Sequence, residues 1–219
     1  MQKYLYLAMT LCAAAGFAYG LFRFFRAKSA LYIRMIVYGI GCAMFGRLFE
    51  TLQLFTTGSI QKGFHVGILG VVGSFMFFFS SNYGQMDSLV DDGSAQYRKY
   101  RLIALAAPAA IFAMFAVYAG FAGFGQSTVV FGVEAVIIAA ATYYHLKHLI
   151  IPDVSYGVIR SIRKYNLLAL IYAFLCMGEM LLGLFAVPAV CSIILFVLLC
   201  IALLIFIPVL EGGIKSWSI

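Results

Sequence analysis

Apolar residues run almost unbroken along this chain, and polar or turn-forming positions interrupt them at intervals of 20 to 30 residues. Seven apolar stretches result, over residues 4–22, 30–56, 64–84, 102–122, 128–150, 164–185 and 188–210. A helix needs about 20 mainly apolar residues to cross the hydrocarbon core of a bilayer. The breaks between them carry charge or turn chemistry: Arg23, Arg26 and Lys28; Thr57-Gly58-Ser59; the polar run from Asp87 to Arg101; Gly123–Ser127; Pro152-Asp153; and Val187-Pro188. The runs are continuous rather than alternating, which excludes a β-barrel. The pattern predicts an all-α integral membrane protein, a bundle of seven transmembrane helices.

Composition supports this. Of 219 residues, 64% are hydrophobic and 11% charged, where soluble domains carry about 25% charged residues. The aromatic share of 16% excludes a solvated, disordered chain. The net charge of +7 has a topological origin. Lys and Arg gather in the first, third and fifth connections, whereas the second, fourth and sixth hold only Lys62. The positive-inside rule then places the N-terminus outside and the C-terminus in the cytoplasm. Basicity of this kind implies orientation and contact with anionic lipid, and no nucleic acid. Lys3 and Ala13–Ala15 could mark a cleaved leader, but the apolar run continues to Phe22 and ends in cations, as an anchoring helix does. The expected location is the plasma membrane, as a multi-pass protein. Cys12, Cys42, Cys176, Cys191 and Cys200 all fall inside spans without metal-type spacing and read as small buried hydrophobes.

An offset of 129 pairs the second span with the sixth. It aligns Ile33-Arg34 with Ile162-Arg163, Phe45 with Phe174, Glu50 with Glu179 and Leu52 with Leu181. Both halves begin on the same side, which predicts a parallel 3+1+3 pseudo-repeat over residues 1–92 and 128–213, with 102–122 as a linker helix. That plan resembles SWEET-type sugar carriers and PnuC-type vitamin carriers in architecture only. No Pro-Gln pair occurs, and the single Trp217 cannot supply tryptophan motifs. The last span contains no lysine for a retinal Schiff base, which disfavours a rhodopsin.

Three of the four glutamates, Glu50, Glu134 and Glu179, lie within spans, each about 9 Å below the same boundary at 1.5 Å rise per residue. Arg47 precedes Glu50 by one turn, Gln53 continues that stripe, and His65 opens the third span. Buried charge is expensive in a bilayer, so these six residues are expected to face an interior pocket open to the outside. Three acids against one arginine leave negative charge that must be protonated, bound to a cation or met by a cationic ligand. A divalent metal on Glu50, Glu179 and His65 is one candidate, although no spacing motif calls for a metal or other cofactor. At the cytoplasmic end, His145 and His148 share a stripe with Glu134, Ile138 and Ala141. With Asn82 they are candidates for an inner gate or proton path.

The expected function is a carrier or channel for a small polar or cationic solute, with an outward acidic pocket and proton coupling. The alternative is a seven-helix sensor that binds a small-molecule ligand in the same pocket and signals through a partner subunit or a homo-oligomer. An intramembrane metal-dependent enzyme ranks third, because the three histidines split between opposite faces and cannot form one site.

Overall fold

A computed structural model of the chain describes residues 2–25, 29–61, 63–85, 87, 91, 93–152, 158–185 and 188–215. All regular elements among them are helical: α1 (Gln2–Phe24), α2 (Leu31–Thr56), α3 (Val66–Gln85), a 3-10 turn (Ala95–Tyr97) leading into α4 (Arg98–Ala104), α5 (Ala106–Ala122), α6 (Gln126–Ile150), α7 (Val158–Leu182) and α8 (Ala189–Lys215). With the stretch Ala95–Ala122 counted as one, seven are long and apolar enough to cross a membrane. The chain is a multi-pass membrane protein. The cationic positions Arg26, Lys28 and Lys62, the acids Asp92 and Asp153, Trp217 and the break at Val187 lie outside the described residues.

Helix is the form a lipid-embedded segment adopts, because no water is present to satisfy its backbone groups. The interruption between α4 and α5 has a covalent cause. Pro108 has no N–H to offer the carbonyl of Ala104, and its ring crowds that carbonyl. The chain tightens instead, with Leu105 N–H bonding Leu102 O at 3.2 Å. The fourth span therefore begins before residue 102. The sixth begins before its predicted start, at Val158, so Arg163 is helical, and ends at Leu182; the seventh runs on to Lys215.

Six helices close a ring in the order α1, α2, α3, α6, α7, α8, with α8 returning to α1. The fourth span stands outside this ring, where α5 packs on α6 and α7. Phe45, Leu52, Met76, Ile171, Ile194 and Leu204 point outward, a surface suited to acyl chains and intolerable in water. Lipid is as apolar as leucine, so burial alone does not draw these helices together; close packing through small residues does. A Cβ added to Gly70 would sit 2.4 Å from Gly46 Cα, and one on Gly16 would sit 2.6 Å from Leu203 O. Gly67, Gly70 and Gly73, spaced three apart on α3, all face α2, and at Gly70 and Gly46 the two helices meet backbone to backbone. At the α5–α6 turn, Gly123 takes a positive φ of 73°, a region open to glycine.

Candidate functional site

Glu50 sits on the helix face that also carries Gly39, Ala43 and Gly46, all buried. Its side chain lies over Gly67, where any Cβ would come within 2.5 Å of Glu50 Cγ. Arg47, one turn earlier, reaches across the ring. Its Nη1 donates to Glu50 Oε2 at 2.9 Å and to Glu179 Oε1 at 2.8 Å, while Nη2 donates to Glu179 Oε2 at 2.5 Å. Arg47 thus bridges the two glutamates that the offset of 129 aligns. Tyr6 of α1 adds a fourth group, its hydroxyl donating to Glu179 Oε1 at 2.8 Å and its ring lying 5.7 Å from the guanidinium carbon. Beneath it, the hydroxyls of Thr10 and Thr51 hydrogen-bond at 2.9 Å.

Tyr6, Arg47, Glu50 and Glu179 line a cavity of about 580 Å³ together with Glu134 and His65. Five of the six candidates are therefore brought together. Gln53 is not; it lies off the cavity wall, and its Oε1 is buried without a hydrogen-bond partner. At 3.6 residues per turn, six positions carry Gln53 about 120° round the helix from Arg47. Glu134 on α6 is 7% exposed and, among the described residues, makes no hydrogen bond and no ion pair. His65 lies just ahead of α3, 9% exposed, its ring stacked on Phe49 with centroids 6.2 Å apart. Burial and the nearby positive Arg47 push its pKa down, so the neutral ring is favoured.

A metal on Glu50, Glu179 and His65 does not fit this geometry. Among the described residues no three His, Cys, Asp or Glu side chains are placed to hold an ion. The reason is plain: the guanidinium of Arg47 already occupies the space between the two carboxylates.

Below the cavity an aromatic layer packs inside the bundle. Phe75 stacks on Tyr172 at 5.5 Å and Phe78 on Phe206 at 5.2 Å, and Tyr165 meets Phe78 edge-on at 6.3 Å. Beyond it lie the candidates at the opposite end. His145 and His148 are fully buried rather than interfacial. The chain's two asparagines meet here, Asn82 Nδ2 donating to Asn166 Oδ1 at 3.0 Å. His145 Nδ1 lies 2.8 Å from Asn82 Nδ2 and 2.9 Å from Asn166 Oδ1. That nitrogen either accepts from the first or donates to the second, so one contact is always unsatisfied.

A cluster of ions closes this end. Lys147 pairs with Asp87, and with Asp91 at 3.2 Å; Arg101 reaches Asp91 at 2.7 Å; His148 Nε2 donates to Asp87 at 3.1 Å. Burial alone would raise the Asp87 carboxyl, but the hydrogen bonds from His148 and Lys147 and the Lys147 charge outweigh it and hold it below the ordinary carboxylate range. Lys147, near the end of α6, is a buried partner of two aspartates. Between α1 and α8, Glu211 accepts from Arg23 at 2.8 Å and Tyr19 at 2.5 Å.

Sequence reasoning missed Tyr6, which near the start of a span looks like an interfacial aromatic. It also missed Asn166, for which a signal existed: a lone amide in an apolar run. Tyr118 and Phe131, which line the cavity beside Glu134, gave no signal among 35 Tyr and Phe residues.

Fold and site together define a multi-pass helical membrane protein with a cavity lined by three glutamates, an arginine and a histidine. Comparison with protein-family models, with curated proteins and with solved structures found no match to this chain.

Proposed function

We propose that this protein is a membrane carrier for a small polar or cationic solute, bound in the cavity beneath Arg47. The observation that carries the reading is Glu134, a carboxyl buried at the cavity wall with no partner among the described residues. A structural acid would be paired with its neighbours; one that faces a cavity unpaired is suited to a ligand or a coupling proton. With basic connections in the cytoplasm, the cavity opens outward, and the plasma membrane is the natural location. The aromatic layer is then the barrier of an outward-open state. Asn82, His145 and the Lys147–Asp87 ion pair form the inner gate, which must part for release.

The ring order supports the 3+1+3 repeat. Carrying α1, α2 and α3 onto α6, α7 and α8 turns each neighbouring pair into another neighbouring pair, and α3–α6 into α8–α1. The peripheral fourth span takes the linker's place. Carriers with such repeats work by rocking one half against the other around a fixed central site. The same cavity would serve a sensor equally well, with flux as the deciding difference.

Counterflow in proteoliposomes tests the proposal. Unaltered protein should accumulate labelled amines or other small polar solutes, and Glu134→Gln should lower the rate at least tenfold. If no member of a panel of amines, amino acids, sugars and vitamins moves, while one binds and a cytoplasmic partner co-purifies, the sensor takes its place.

A further inference from the structure

We infer that the cavity takes an organic ammonium ion, a small monocation with compact apolar substituents, held at Glu134 against the rings of Phe131 and Tyr118. This deepens the carrier reading by naming the solute class, and it rests on the cavity being the solute site.

Charge sets the sign. Both terminal nitrogens of Arg47 are committed to Glu50 and Glu179, and among the described residues no other lysine or arginine lines the cavity. His65 favours its neutral form. Among the described residues Glu134 makes no hydrogen bond or ion pair, and the Arg47 charge across the cavity is already shared by two other acids; the group that completes it is a cation.

The surroundings set the kind of cation. Divalent metal ions take several oxygen or imidazole ligands at once, and the described residues offer no such group. Glu134 instead has an aromatic and aliphatic neighbourhood. Phe131 lies one helical turn before it on α6, and the Tyr118 ring stands at 76° to the Phe131 ring with centroids 5.0 Å apart. Ile68 and Val71 of α3 line the same cavity. Ring faces attract alkylated ammonium groups, and aliphatic walls favour their substituents. Ammonia or a bare alkali ion would gain nothing from these walls. A carboxylate-bearing solute would meet the acids of the site.

Isothermal titration of the full-length protein in detergent tests this with four probes: cyclohexylammonium, tetramethylammonium, cyclohexanol and cyclohexanecarboxylate. Both ammonium ions should bind at least tenfold more tightly than the alcohol or the carboxylate. Glu134→Gln should weaken the ammonium ions at least tenfold, Glu134→Asp should retain them, and Phe131→Leu should weaken tetramethylammonium several-fold. Cyclohexanol binding as tightly as its ammonium counterpart overturns the inference on unaltered protein, with no variant required. Ammonium affinity indifferent to Glu134→Gln overturns it as well. Flux separates the two proposals: ammonium binding without counterflow supports this inference and removes the carrier. Counterflow of a neutral sugar without ammonium binding does the opposite.

Discussion

Arg47 and Glu179 are 132 positions apart and meet in a two-point pair, Nη1 to Oε1 at 2.8 Å and Nη2 to Oε2 at 2.5 Å. The same guanidinium holds Glu50, so one cation offsets two acids. Removing one partner of a buried ion pair costs about 3–5 kcal/mol, because the remaining charge is stranded. Arg47→Met should lower unfolding stability in detergent by about that amount. Adding Glu50→Gln and Glu179→Gln to that background should recover much of it.

Glu134 behaves in the opposite sense. Since no described residue pairs with it, Glu134→Gln removes no native interaction. Its melting temperature should equal or exceed that of the unaltered protein, while solute uptake falls. A melting temperature lowered like that of Arg47→Met would mean that Glu134 has a structural role.

Acid should loosen the fold in two stages. The pKa of His65 is depressed in the folded protein, so the unfolded chain takes its proton first. Stability supplied by neutral His65 is full above about pH 6.5 and falls below it. His65→Gln should shrink this first stage. Asp87, held down by His148 and Lys147 with Asp91 and Arg101 nearby, contributes above the ordinary carboxylate range and loses its contribution as pH falls from about 4 through its depressed pKa. Asp87→Asn should remove the second stage alone. Thermal unfolding across pH 3 to 8 resolves both.

At the α2–α3 contact, Gly70→Ala places a methyl group against Gly46 backbone atoms, with nowhere for either to move. Overpacking of this kind costs about 1–3 kcal/mol. Gly84→Ala, with no atom within 4 Å of the added Cβ, should be neutral or slightly stabilising by the same unfolding measurement.

The bundle was legible in the sequence because length and apolarity suffice to define a membrane span. The meeting of Glu50 and Glu179 was legible too, since intramembrane acids are rare enough for one matched pair to carry information. Spacing could not reveal how the charge was shared. Nothing local indicates that Arg47 serves both acids, or that Lys147 turns from the loops to Asp87 and Asp91. Those outcomes depend on which helices become neighbours, and the ring order is a tertiary property. Gln53 shows the limit of a helical wheel: a third residue on a stripe has already rotated off the face that its first two members define.

Gly46 and Gly70 leave no side chain between the backbones of α2 and α3, and Glu50 rests on Gly67 at the same seam. At that crossing there are no rotamers to change and little room for one helix to roll on the other. Any motion that opens the far end must therefore carry α2 and α3 as one lever, with Glu50 and Arg47 fixed to it. The yielding joint then falls across the ring, where Arg47 reaches Glu179, so the contact that gathers the acids is also the one a working stroke would break and remake.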